Sequence, residues 1–558
     1  MGFNLHADGT NDPKEVRNWR IHMIAIIASM SAIAMGYDTS VIGGTMALDS
    51  FRRDFDLADK APTVRDTLQG NIVSTFQAGC FFGALLTFPL AEWMGRKKAI
   101  MVSALVFLAG GTLMTAAHGE IGMLIAGRAV AGLGIGATSL IVPVYISEIS
   151  PPSIRGRLVG LFEIASQGGG MCGFWVNYAV DRTISDSLQA QWIVPLGLQL
   201  LPGVLLFFGI FICPESPRWL AKNDRWEDAK KVLVHIRTLP ADHEYVNNEI
   251  SDIRRQVEDS SANRMTKMQM FKRLFERGSR NRIGIGLLLM ACQNLYPLKC
   301  AFVVLTWSLD SPRIFETLGI TGTSTKLFAT GFYGIAKTLG MVIFTVWLAE
   351  KVGRRNGLIW GAFIGSLPMW YIGGYVFQAD PAGQAAAGNT DRNAWGYIAM
   401  LCVYLYGLVY CATWQGITWL YCSEVFSLDI RMLCVAITTA DQWLWSFIVS
   451  RTTPYMITSL GYGTYMFFGA LMILMGIWAF FFVPETKGLT LEDMDLLFMR
   501  SMHNTVWTAL REKKSVKDVL ADTSPAAVHA PSSEKEIGLE YVDTVEEKSV
   551  AREAERRV

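Results

Sequence analysis

Long apolar runs alternate with short polar ones along almost the whole chain. A helix needs about 20 largely apolar residues to cross a hydrocarbon core. That ruler predicts spans over 21–43, 68–91, 98–117, 121–146, 158–180 and 192–212. A polar interval follows at 213–280, then six more spans over 282–308, 325–349, 357–378, 395–422, 432–454 and 464–483. The pattern predicts an all-α membrane protein of twelve transmembrane helices. Its parts are an N-terminus over 1–20, a six-helix half over 21–212, a linker over 213–280, a second half over 281–483 and a tail over 484–558. Within the linker, "DRWEDAKKVLVHIRTL" sets Trp226, Val232, Leu233 and Ile236 on one face, an amphipathic helix too polar to span. From about 498 the tail scatters charge among Pro, Ser and Ala without an apolar period, so it is expected to be largely disordered.

Charge then orients the spans. Lys14, Arg17 and Arg20 precede the first span, Arg96-Lys97-Lys98 separate the second from the third, and Arg155 and Arg157 the fourth from the fifth. Lys351, Arg354 and Arg355 lie between spans eight and nine, and Arg431 between ten and eleven. All of these loops fall on one side if the spans alternate, and basic short loops mark the cytoplasmic side. Both termini are therefore expected in the cytosol, in what reads as a plasma-membrane protein.

The polar words between spans also repeat. "AEWMGRKKAI" at 91–100 returns as "AEKVGRRNGL" at 349–358, so that Glu92 matches Glu350 and Arg96 matches Arg354. "YISEISPPSIRGR" at 145–157 is echoed by "YCSEVFSLDIRML" at 421–433, pairing Glu148 with Glu424 and Arg155 with Arg431. After spans six and twelve come "PESPRWL" with Glu215 and "PETKGLT" with Glu485. Two homologous six-helix halves in parallel are expected, an arrangement that puts a substrate site at the midplane between them.

These motifs, with twelve spans, "GRKK", "GRRN", "PESPRWL" and "PETKG", closely resemble the sugar porter branch of the major facilitator superfamily, over roughly residues 20–495. The resemblance implies the major facilitator fold and a fungal-type carrier of hexoses, quinate or uronic acids. It implies too that the paired charges Glu92, Arg96, Glu148, Arg155, Glu215, Glu350, Arg354, Glu424, Arg431 and Glu485 form a cytosolic gate. Exposed ion pairs are worth only about 0–1 kcal/mol each, yet a network of them can latch two halves and break when the gate opens. The blander alternative is that they only enforce topology.

Ionisable residues inside spans are costly and so carry functional weight. Asp38, in "AMGYDTSVIGG", suits proton coupling, and Arg128 supplies a fixed charge that holds it ionised. Proton-coupled sugar porters pair an acid and an arginine at these two positions. A structural, hydrogen-bonded acid is the alternative. Glu163 stands where sugar porters usually have Gln at the sugar site, and Lys337 and Asp441 add two more unusual groups. A lysine facing the cavity suits a sugar acid, though it could equally neutralise Asp441 or Glu163. Gln293, Asn294, Trp414, Gln415, Trp419, Gln442 and Trp443 fit a polyol site. Their amides meet vicinal hydroxyls, and the indoles offer a flat face to a ring's C–H side. Gln293 and Trp419 match family binding positions, whereas Gln415-Gly416 replaces the usual Gly-Pro, so helix bending is expected to differ.

Span seven departs most. It reads "CQNLYPLKCAFVVLTWSLDSPRIF", without the family's Gly, Asn and Tyr-Tyr and with Pro297 and Lys299 added. Either binding is rearranged there, or the stretch 296–310 stems from a misplaced exon boundary.

Composition agrees with a membrane chain: 51% hydrophobic and 18% charged, with a net charge of +1, against about 25% charged for soluble domains. That net charge gives no pull toward nucleic acid. The nine cysteines include no C-x-x-C pair, and "HEYVN" lacks the second histidine of a zinc site. "GLGIG" at 132–136 lies in an apolar span without a P-loop lysine; Gly132, Gly136, Gly168, Gly169, Gly170, Gly361 and Gly365 are expected instead to let helices approach closely. No cofactor, metal or catalytic constellation is expected. The reading is a proton symporter for a monosaccharide or sugar acid, with a facilitative uniporter or a non-transporting nutrient sensor as alternatives.

Overall fold

The computed structural model describes residues 13–57, 60, 62–151, 154–262, 267–276, 278–296, 323–348, 351–379, 394–427, 430–487, 494, 497 and 498. The chain divides into two compact units, Met1–Val483 and Pro484–Val558. In the first, six long helices form one half: α1 (Trp19–Ala47), α2 (Pro62–Met94), α3 (Arg96–Thr115), α4 (Ile121–Ile149), α5 (Arg155–Thr183) and α6 (Ala190–Ile212). The other half is α7 (Ser279–Leu295), α8 (Thr323–Leu348), α9 (Arg354–Ala379), α10 (Ala394–Glu424), α11 (Arg431–Leu460) and α12 (Gly463–Phe482). The described part of α7 stops at Leu295, and the anomalous stretch from Pro297 onward lies outside the described residues. So does the tail beyond Phe498.

Among the described residues, nine helices are long and apolar enough by themselves to cross a membrane. Two of the others explain their own shortfall. The described α7 has 17 residues, and α5 carries Glu163, Gln167 and Asn177 along its length. Outward faces present large exposed apolar side chains such as Phe208, Leu367, Leu401 and Leu474, as a surface wetted by lipid rather than water would.

Glycine sets how closely the helices meet. A Cβ on Gly36 of α1 would collide with the Ser166 carbonyl oxygen of α5, and one on Gly132 or Gly136 of α4 with backbone oxygens of α2. Gly169, Gly170, Gly361 and Gly365 are similarly crowded, while Gly168 has nothing within 4 Å and is the exception among the expected packing glycines. Each half also keeps a glycine ahead of its repeated arginine at a φ that L side chains rarely adopt, +91° at Gly95 and +85° at Gly353.

The halves meet through α2 with α11 and α5 with α8. A two-fold that exchanges the repeats carries the first contact into the second, the signature of parallel duplication. The linker folds as short helices, Pro217–Lys222, Trp226–Arg237, Glu244–Ala262 and Lys267–Arg273. Its apolar face, with Ala229, Leu233 and Ile236, joins the core of the first half, and Trp226 and Val232 pack beside it. Buried Arg237 fastens it, with Nη2 2.6 Å from Glu249 and Nη1 donating to the Ile149 carbonyl at 2.8 Å.

Candidate functional site

Between the halves lies a cavity of about 70 Å³, room for several waters at about 10–15 Å³ each. From the first half, α1 lends Met35, Gly36, Thr39 and Ser40, α4 lends Ser139, and α5 lends Phe162, Glu163, Ser166, Gln167 and Gly170. From the second half come Lys337 of α8, then Tyr410, Gln415 and Trp419 of α10, and Gln442, Trp443 and Ser446 of α11. The wall is hydroxyls, amides and indoles with one acid and one base, a surface that can hydrogen-bond a polyhydroxylated molecule and stack against it.

Local helix geometry aims these groups. Glu163, Ser166, Gln167 and Gly170 follow the i, i+3, i+4, i+7 spacing of one helix face, while α1 and α11 each present adjacent residues and those one turn on, Met35, Gly36, Thr39 and Ser40, and Gln442, Trp443 and Ser446. In α10 the segment Cys411–Gln415 is wound as a π-helix. Such bulges re-aim side chains and often mark functional sites. Gly416 follows it against the Phe344 ring, where a Cβ would clash. The Gln-Gly pair thus accompanies a local rewinding of the helix.

Of the sequence-predicted binding residues, Glu163, Lys337, Trp419 and Gln442 reach the cavity wall; Gln293 and Asn294 stand behind it. Gln293 Nε2 donates to the Gln415 carbonyl at 3.2 Å and to Gln415 Oε1 at 3.3 Å, and Tyr410 donates to the same Oε1 at 2.6 Å. Asn294 Nδ2 donates to the Met290 and Gln442 carbonyls at 2.8 and 3.1 Å, while its Oδ1 accepts from Ser446 at 2.7 Å. These two amides fix the wall residues Gln415, Gln442 and Ser446 in place. Trp414 is buried, its Nε1 donating to the Leu358 carbonyl at 3.0 Å. Asp441 is not on the wall and accepts from Trp445. The hydroxyls Thr39, Ser139, Ser166 and Ser446, and Gln167, were not foreseen; for Ser166 and Gln167 the helical stripe they share with Glu163 was the available signal.

Asp38 and Arg128 come together, both fully buried. Arg128 Nη1 lies 2.9 and 3.0 Å from the two carboxylate oxygens, and Nε donates to the Ile72 carbonyl at 3.2 Å. The guanidinium also sits 4.3 Å from the Phe76 ring centroid, a cation–π contact. Phe76 in turn meets Trp443 edge-on at 6.1 Å, and Trp443 donates to Ser139 at 3.2 Å. The ion pair thus lies one aromatic layer behind the cavity.

Within the first unit the described repeated charges lie at one end of the bundle. Arg96 donates twice to Glu148, at 3.1 and 3.0 Å, and once to Glu92 at 3.4 Å. Arg354 likewise donates to Glu424 at 3.3 and 2.9 Å. Each of these pairs joins residues of one half. Glu215 accepts from the backbone N–H of Arg96 at 2.9 Å and of Lys97 at 3.2 Å, so a distant carboxylate caps the N-terminus of α3, where the helix dipole favours an anion. Burial pushes the Glu215 carboxyl up from its ordinary range, against the lowering by those N–H groups and by Arg96. Arg155 lies in the field of Arg218, Arg237 and Arg431 and of the acid Glu249. Arg431 donates to the Phe426 carbonyl. Glu350 lies outside the described residues. In the second unit Glu485 accepts from the N–H of Thr486 and Lys487, each at 3.1 Å.

At the opposite end the halves bond to each other. Arg451 donates to Asn71 at 2.8 Å, Ser450 bonds Gln77, and Ser324 bonds Asp181. Among the described residues, no group of three or more His, Cys, Asp or Glu could hold a metal.

A two-fold bundle with a polar midplane cavity between its halves is the form of a major facilitator transporter. The family model for sugar (and other) transporters matches residues 24–498. A probable quinate permease of Aspergillus flavus is 41% identical over 511 residues, covering 90% of this chain and 93% of its own length. The quinate permease of Neurospora terricola is 41% identical over 498 residues, covering 88% and 91%. Among solved structures, the proton:xylose symporter XylE bound to 6-bromo-6-deoxy-D-glucose gives a TM-score of 0.71 at 25% identity, covering 86% of this chain and 99% of that one. A partially occluded inward open form of the xylose transporter XylE from E. coli gives 0.69 at 24% identity, covering 84% and 99%. The chain belongs to the sugar porter family of the major facilitator superfamily.

Proposed function

We propose that the protein imports a monosaccharide or a related sugar acid together with protons, by alternating access. The observation that carries the reading is the polar cavity shared by both repeats, one aromatic layer from the buried Asp38–Arg128 pair. Amides and hydroxyls on both halves grip one substrate, so the halves close on it and then rock apart on the other side. Protonation of Asp38 weakens its hold on Arg128 and lets proton entry accompany substrate entry. The relatives named as quinate permeases and the structural neighbour named as a proton:xylose symporter support both substrate and coupling.

The basic short loops support a cytosolic side for both termini and the 213–280 linker, and we take the membrane to be the plasma membrane. The repeated charges Glu92, Arg96, Glu148, Arg155, Glu215, Arg354, Glu424 and Arg431 then serve as the cytosolic gate, pairing anew across the halves when the cavity faces outward. The test is uptake of labelled glucose, galacturonate and quinate into proteoliposomes loaded with a pH-sensitive dye. Uptake with internal acidification is expected, and Asp38→Asn should abolish uphill accumulation while leaving equilibrative exchange. Uptake without acidification would make the protein a facilitative uniporter, and binding without flux a sensor.

A further inference from the structure

The cavity wall carries three ionisable residues, Glu163, Lys337 and Tyr410. Glu163 comes from α5 of the first half and Lys337 from α8 of the second. The Lys337 ammonium lies 5.7 Å from the Tyr333 ring centroid, within cation–π reach. The helices packed against α5 are α1, α4, α6 and α8. Toward the middle of the bundle their ionisable residues are Tyr37 and Asp38 on α1, Arg128 on α4, none on α6, and Tyr333 and Lys337 on α8. Asp38 and Arg128 neutralise each other off the wall.

With that pair closed, the wall charge is set by Glu163 and Lys337. Empty, with both ionised, the cavity is neutral. A neutral sugar leaves it so. A carboxylate adds one negative charge, and an unbalanced charge at the middle of a membrane protein is costly. The wall's own acid can remove the imbalance by taking a proton, after which its O–H is a donor for a substrate hydroxyl.

Resting on the transporter reading above, we infer that this cavity is built for a carboxylated polyol: Lys337 holds the carboxylate, and Glu163 takes up the proton that keeps the loaded cavity neutral. The substrate ring then lies toward Gln415, Trp419 and Gln442. One proton more accompanies an anionic substrate than a neutral one, and Glu163 is the group that carries it.

The test compares quinate with glucose in proteoliposomes of the full chain, with calorimetric binding to the purified protein alongside. Wild type is expected to take up quinate. Lys337→Gln should raise the quinate KM and Kd about tenfold or more while changing glucose binding less than threefold, and Lys337→Arg should restore most of the quinate affinity. Glu163→Gln should lower the proton count per quinate by one and flatten the pH dependence of its uptake. Equal effects of Lys337→Gln on both solutes, or an unchanged proton count in Glu163→Gln, would overturn the inference. Uptake of glucose without quinate would overturn it too while leaving the transporter reading intact. Failure of wild type to move either solute would remove both.

Discussion

In the first half Arg96 grips Glu148 through two hydrogen bonds, and in the second Arg354 grips Glu424 through two of the same atoms. Sequence makes the two devices equivalent; their surroundings do not. The Arg96 and Glu148 side chains are 5% and 11% exposed, against 14% and 30% for Arg354 and Glu424. The first pair also has Glu92 and the Glu215 cap around it, and linker helices close over that end of the half. The interiors diverge further. The first half buries an ion pair, Asp38–Arg128, whereas the second buries an amide network, Gln293–Gln415–Tyr410 and Asn294–Gln442–Ser446. A duplicated chain has thus kept the frame twice and specialised the contents, a closed ion pair in one half and an amide network in the other.

That contrast breaks most visibly at the buried pair. Asp38→Ala leaves the fully buried Arg128 guanidinium without its carboxylate, and loss of one partner of a buried pair costs about 3–5 kcal/mol. Asn294→Ala leaves a neutral hydroxyl, Ser446, short of its acceptor, at about 1–3 kcal/mol. Unfolding of the detergent-purified protein should rank them in that order, and an Asp38→Leu/Arg128→Leu double variant should recover much of the loss. Next comes the glycine seam. Gly36→Val drives a side chain into the backbone of α5 and should cost at least about 1–3 kcal/mol, while Gly168→Ala, with open space around it, should stay within about 0.5 kcal/mol.

At the repeated motif, lysine cannot reproduce a two-pronged arginine contact. Arg96→Lys should cost about 1–2 kcal/mol, in the range of charge-assisted bonds to a half-buried acid, and Arg354→Lys less than about 1 kcal/mol because its partner is wetter. The smallest effect concerns pH. Burial raises the Glu215 carboxyl above its ordinary value, so this fold binds that proton more tightly than the unfolded chain does. Stability contributed by the group is therefore greatest at low pH and falls as pH rises from the ordinary glutamate value through the raised one. Glu215→Gln should lack that segment of the pH–stability curve measured by thermal unfolding.

What could be seen in the sequence follows from how each feature is written. Span periodicity and the motif words are local, so the two halves and the amphipathic linker helix were readable, whereas the repeated charges could be named only as a set, without the Arg96–Glu148 and Arg354–Glu424 pairings. Glu163 and Lys337 stood out because a charge in an apolar run is conspicuous. Thr39 and Ser139 did not, since hydroxyls in helices commonly bond their own backbone, as these two do with the Gly36 and Gly136 carbonyls. Only the fold reveals which hydroxyls also face the cavity. Gln293 and Asn294 could be assigned to the right region but not to the right layer, because one helical step decides between touching a substrate and bracing the residue that does. Gly168 shows the same limit, with crowded Gly169 beside it.

The central claim is that substrate sits in the cavity between the halves. Gln167 lines that cavity and is only partly buried, so Gln167→Trp fills the space from the first half without entering the amide network of the second. The decisive measurement is calorimetric binding of quinate and glucose to the purified wild type and to Gln167→Trp, with thermal unfolding as a check on the fold. Wild type should bind, and the variant should lose at least tenfold in affinity at an unchanged melting temperature. Undiminished binding by a well-folded Gln167→Trp would contradict it.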